Sequence, residues 1–233
     1  MNTANKIKYT TIFIVQIIFG FEASAFSIDV EKFLLNPENK SFVEKLTLED
    51  IDPNSYMSNG LHILYEKFHE RNFEHFVILL KGGSDPSLRC KEKSEITIIQ
   101  KILLTPVNEK YLEAVLLFGF DPNTKIKDRF RDGVNYHLIE YTLVTNKISY
   151  TSLLRKYGAD ISDDEGYILN LLKETLNRKS YRSFIYLCGV KKVFENINMS
   201  GKVKKMIQSH FEQEDNDYSS YWARKVKKLE KKD

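Results

Sequence analysis

Three histidines, His62, His69 and His75, lie within fourteen residues of one another and are the first place to look for a metal or an acid–base pair. A protein zinc site needs several ligands converging on one point. His69-Glu70 begins like a metalloprotease helix but lacks the second histidine four positions on. Spacings of seven and six would let two histidines share a face only on one unbroken helix, and a loop is expected near Asn72 between them. They are therefore expected to be surface or packing residues. There is no Gly-x-Ser-x-Gly elbow and no phosphate-cradling glycine loop. The sequence thus leads to an expectation of no catalytic residue, no metal and no cofactor.

The stretch with most chemical character is Lys125-Ile126-Lys127-Asp128-Arg129-Phe130-Arg131-Asp132. It alternates with period two. On an extended strand Lys125, Lys127, Arg129 and Arg131 share one side, and Ile126 and Phe130 the other. Two readings are open: a basic prong for an acidic protein surface, or a solvated hairpin whose apolar pair tucks against the next unit. Asp163, Asp164 and Glu165 carry the opposite charge on a later turn, which would orient a partner as well as attract it. Tyrosine is favoured at interfaces, so Tyr56, Tyr136, Tyr141 and Tyr150 are candidate exposed contacts.

These residues need elements to position them. The chain has 233 residues, 42% hydrophobic and 29% charged, with a net charge of +3, which suits one folded array with a real core. So small a net charge argues against nucleic acid as the partner. Residues 202–233 hold nine Lys or Arg against six Asp or Glu, which reads as a solvated basic tail. At the start, Lys6 and Lys8 precede an apolar run from Ile12 to Phe21 and then Ala23-Ser24-Ala25, a small-x-small signal. That is the layout of a secretory leader, residues 1–25, and the run is short for a membrane span. An uncleaved anchor and a buried first helix are the alternatives. Asn39-Lys40-Ser41 and Asn198-Met199-Ser200 are glycosylation sequons, meaningful in a eukaryotic host.

Internal recurrence is the main signal. Four segments are alike: Asp52-Pro53-Asn54, Gly83-Ser84-Asp85-Pro86, Gly119-Phe120-Asp121-Pro122-Asn123 and Gly158-Ala159-Asp160-Ile161. Their aspartates are 33, 36 and 39 residues apart. Leucine-rich patches precede three of them, and Leu112, Val115 and Leu116 fall on one helical face. A glycine after such a helix supplies a positive φ, and Asp and Pro then turn the chain.

This pattern resembles the ankyrin repeat, best at Leu153-Leu154-Arg155-Lys156-Tyr157-Gly158-Ala159-Asp160-Ile161, with Asn59-Gly60-Leu61-His62 as a remnant of the motif that opens the first helix. The resemblance covers about residues 45–190. It implies an all-α solenoid of stacked helix-loop-helix units with extended finger turns and helical caps at both ends. In such a family His62 bonds the backbone of neighbouring turns, while Gly83, Asp85, Gly119, Asp121, Gly158 and Asp160 form the repeat motif. The expected organisation is a helical cap over 26–56, an array over 57–195 with units at about 57–90, 91–127, 128–163 and 164–195, and a capping helix with a basic tail over 196–233. Val203, Met206, Ile207, His210 and Phe211 give that last helix its apolar face. Cys90 and Cys188 fall three units apart, too far for a disulfide in a regular stack, and are expected to be free thiols.

What the resemblance implies for function is a non-catalytic protein binder, monomeric when unbound, acting in the periplasm or as a secreted protein, with no stable membrane insertion after leader cleavage. An immunity protein that neutralises an antibacterial effector is the leading expectation. A secreted effector that binds host proteins is the alternative, and an enzyme with an unrecognised site is the alternative from another class.

Overall fold

The structure is a computed structural model that describes residues 36–48, 52–92, 95–106, 108–128, 133–193 and 196–212, with residue 224. The expected leader over residues 1–25, Arg129, Phe130, Arg131 and Asp132, and the expected basic tail after residue 212 apart from Arg224, lie outside the described residues. The chain is mostly helical, with ten helices and one two-stranded sheet among the described residues. After α1 (Pro37–Leu48) come four pairs: α2 (Ile63–His69) with α3 (Phe73–Lys81), α4 (Ile98–Leu104) with α5 (Glu109–Leu117), α6 (Leu138–Val144) with α7 (Ile148–Lys156), and α8 (Glu165–Asn177) with α9 (Tyr181–Val190). The strands β1 (Lys125–Lys127) and β2 (Asn135–His137) lie between α5 and α6, and α10 (Ile197–Glu212) closes the described chain. One helix pair falls in each of the four expected units.

Local chemistry sets the helix boundaries. The backbone N–H of Gln100 donates to Thr97 Oγ1 at 3.3 Å while the Gln100 side chain accepts from the Thr97 N–H at 2.9 Å, a capping box that starts α4. Asn72 Oδ1 accepts the His75 N–H at 3.1 Å and starts α3, and Asp164 Oδ1 accepts the Tyr167 N–H at 2.7 Å and starts α8. The second helices end alike. After α3, the Gly83 and Ser84 amides bond the Leu80 and Leu79 carbonyls, both at 3.0 Å. After α5, Gly119 and Phe120 do the same to Leu116 and Val115, and after α7 Gly158 and Ala159 to Arg155 and Leu154. These are Schellman closures, which require a left-handed residue; Gly83, Gly119 and Gly158 supply it with φ of 95°, 89° and 95°. Three first helices close the same way through non-glycine residues, Arg71, Asn146 and Lys179, at φ near +60°.

Packing follows from these ends. Each helix packs on its pair partner. Each second helix then packs on the next, α3 on α5, α5 on α7 and α7 on α9, while α6 packs on α8. Their inner faces form one continuous core from Ile63 to Ile207. In α2 and α3, Phe68, Phe73 and Phe76 stand edge-on to Tyr111 of α5, with ring centroids 4.9–5.1 Å apart. α1 packs on α3, where Phe42 stacks on His75 at 3.8 Å. At the other end α10 packs on α8 with Met199, Val203 and Ile207 buried. Cys90 and Cys188 are free and buried; burial pushes the Cys90 thiol up to about 11 and raises that of Cys188 as well. No described helix is long and apolar enough to cross a membrane.

Candidate binding surface

The turn aspartates generate a common register. Asp52, Asp85 and Asp121 each accept, through Oδ1, the backbone N–H two residues on, from Asn54, Ser87 and Asn123 at 2.8–2.9 Å. Such Asx turns bend the chain at each aspartate before the paired segment that follows. Four residues after each aspartate, Tyr56, Arg89 and Lys125 pair in antiparallel fashion with His62, Thr97 and His137, each of which opens the helix that follows. The preceding carbonyls, of Ser55, Leu88 and Thr124, accept from Ile63, Ile98 and Leu138 at 3.2, 2.9 and 3.0 Å. Three fingers are therefore built by one set of bonds. Asp160 departs from it: its Oδ1 accepts from the adjacent Ile161 N–H at 2.8 Å, and the chain enters α8 with no finger.

Turns and fingers are also tied to their neighbours. Asn54 Oδ1 accepts the Asp85 N–H at 2.7 Å, and Asn123 Oδ1 accepts the Asp160 N–H at 3.3 Å. The His62 N–H donates to Cys90 O at 3.0 Å, the Glu92 N–H to Gly60 O at 3.2 Å, and Gln100 Nε2 to Lys127 O at 2.9 Å.

Lys125 and Lys127 are exposed on β1 and Ile126 between them is 5% exposed, so the predicted alternation holds over the described part of the prong. Arg129 and Arg131 lie outside the described residues. The base of this finger is not free. Asp128 is buried and ion-pairs with Arg178, which follows α8 and also meets Glu174 at 2.7 Å. Burial works against the Arg178 charge, but the hydrogen bonds to Glu174 and Asp128 outweigh it and hold its pKa above the ordinary value. The Tyr136 ring lies under the same guanidinium, 5.7 Å from its centroid. The finger thus lies over α6, all seven residues of which are buried.

The acidic turn differs from expectation. Asp164 is spent capping α8, Asp163 binds Lys191 at 2.7 Å, and Glu165 binds Lys202 at 2.5 Å. Asp163 stays open to solvent, and the Lys191 ammonium holds its carboxyl below the usual range. These carboxylates mainly tie α8 to the helices after it. Two tyrosine candidates are corrected: Tyr141 and Tyr150 are each 2% exposed. The Tyr150 hydroxyl donates to Thr105 O at 3.0 Å and accepts from Asn108 N–H at 2.9 Å, bracing the α4–α5 turn; burial pushes it up to about 12. Tyr56 and Tyr136 remain half-buried. His62 is fully buried, and its Nδ1 accepts from Leu64 N–H of its own helix at 3.1 Å, not from a neighbouring turn. At the equivalent position on the third finger, His137 Nδ1 lies 2.7 Å from Asn123 O of that finger's own turn.

The sequence-based reading missed Arg89 and Lys91, which occupy on the second finger the positions of Lys125 and Lys127. Their signal in the sequence is the offset of four and six from Asp85, with Cys90 between them at the inward position that Ile126 takes on the third finger. Among the described residues no three His, Cys, Asp or Glu side chains converge as a metal site would require. Comparisons with protein-family models, with curated proteins and with solved structures find no match.

Proposed function

We propose that this chain is a degenerate ankyrin-type stack that holds another protein through its fingers and has no catalysis of its own. The observation that carries the reading is the threefold recurrence of one hydrogen-bond set: Asx turn, finger, helix pair and Schellman closure, at offsets of 33 and 36 residues. Such units cannot bury their faces alone and stack into an extended surface suited to gripping a partner. Paired fingers held by inter-turn bonds lose little conformational freedom on binding, which favours affinity.

The finer proposal is that the chain acts outside the cytoplasm, in the periplasm or as a secreted protein, as an immunity protein that neutralises an antibacterial effector by one-to-one binding. The full chain carrying a C-terminal tag tests both parts. Fractionation and protease accessibility report its compartment. Crosslinked capture, followed by light scattering of the purified pair, reports the partner and stoichiometry. The expected result is an exported monomer that forms a one-to-one complex and abolishes the partner's toxicity. A chain that stays cytoplasmic removes the immunity role, and turnover of a substrate by the purified protein alone removes the non-catalytic reading.

A further inference from the structure

The second and third fingers carry Arg89-Cys90-Lys91 and Lys125-Ile126-Lys127 at matched positions after their turn aspartates. Cys90 and Ile126 are each 5% exposed, whereas the four cations are exposed. The Ile98 N–H to Leu88 O bond and the Leu138 N–H to Thr124 O bond put both strands in the same register. Strand alternation then sends all four cations to one side. Among the described residues none of the four is ion-paired. Tyr56 holds the same position on the first finger, and its hydroxyl donates to Arg89 O at 3.3 Å, so the aromatic ring adjoins the end of the row.

We propose that this two-finger row of cations, with Tyr56 beside it, docks a short extended protein segment bearing acidic side chains at alternate positions. The surface deepens, and rests on, the reading of the chain as a protein-binding stack. Its geometry selects the occupant. Cations at alternate residues of a strand are about 6.8 Å apart, which is also the spacing of alternate side chains along an extended peptide. Exposed carboxylates lie beside the row: Glu92 directly follows Lys91, and the Asp160 N–H bonds Asn123, two residues before Lys125, at 3.3 Å. A nucleic acid or an anionic bilayer, with phosphates continuing past the cations, would meet these carboxylates. A segment only a few residues long would not. The apolar inner positions and the pinned Asp128 leave the cations on a backbone that does not have to order on binding.

Fluorescence anisotropy with the full chain tests this, using a labelled peptide of alternating Glu and Val, labelled oligothymidylate, and vesicles containing phosphatidylserine. The peptide is expected to bind most tightly and to weaken as salt rises from about 50 to about 200 mM. R89E/K91E and K125E/K127E are each expected to weaken it about tenfold, with melting temperature unchanged because the side chains are exposed. K204E/K205E, on the exposed face of α10, is expected to leave binding unchanged. Failure of the peptide to bind, tighter binding of oligothymidylate or vesicles, or equal weakening by K204E/K205E each overturns the proposal. A natural partner whose affinity survives reversal of the row overturns this surface and leaves the protein-binding function standing; a chain with no protein partner overturns both.

Discussion

Residue by residue, conformation and charge state decide more here than chemical identity. Gly158 stands at φ of +95° with nothing within 4 Å of the position a Cβ would take. A side chain there meets no clash, so its whole cost is backbone strain, about 1 kcal/mol. Gly189 also has open space around it but sits inside α9 with ordinary helical backbone. Gly158→Ala should therefore lower the melting temperature by roughly 2–4 °C, whereas Gly189→Ala should raise stability by about 0.5–1 kcal/mol. Thermal melts of the two variants decide the matter, and equal signs would show that the left-handed closure is not what ends these helices. The same logic explains Arg71, Asn146 and Lys179, which adopt positive φ without glycine. Of the three side-chain types only Asn favours left-handed backbone; at Arg71 and Lys179 the Schellman bonds at the tight turns between paired helices demand it.

At the scale of elements, the third finger is the informative case. Two three-residue strands would be marginal alone. Asp128, Arg178, Glu174 and Tyr136 join the finger to the end of α8, some fifty residues away in sequence. Removing one partner of such a buried pair leaves an uncompensated charge. Arg178→Met is expected to cost about 3–5 kcal/mol, and the double variant Arg178→Met with Asp128→Asn should recover part of it, because the fully buried Asp128 charge is then gone and only the partly exposed Glu174 carboxylate is left without its cation. Denaturant melts of the two single variants and the double give the coupling, and additive losses would show that the pair does not hold the finger. If the finger detaches in Arg178→Met, amide exchange at Ile126 should quicken while that in α2 and α3 stays unchanged.

For the molecule as a whole, the helix pairs share one core, so the exposed faces of the end layers must be covered. α10 covers the last layer with Val203 and Ile207 fully or nearly fully buried. Ending the chain after residue 195 removes both and uncovers α8, a loss of at least about 3 kcal/mol from their burial alone. The shortened chain is expected to melt over a broader range and to bind a hydrophobic dye, as read by calorimetry and fluorescence; an unaltered sharp transition would mean that α10 is an appendage.

How much of this was legible beforehand follows from range. The turn aspartates, the glycines after the second helices, the alternation at Lys125, Ile126 and Lys127, and the apolar face of α10 were readable because each depends on residues within a few positions. The same reading placed Tyr141 and Tyr150 on the surface, gave Asp163 and Asp164 to a partner, and overlooked Arg89 and Lys91. Burial, capping and ion pairing at those positions depend on what stacks against them from thirty to fifty residues away. Local sequence determined where each turn, helix end and strand alternation falls, because φ, caps and period two are near-neighbour physics. Only the tertiary structure decided which charges are spent inside the fold and which four stand open on adjacent fingers, because pairing and desolvation are set by neighbours that sequence distance conceals.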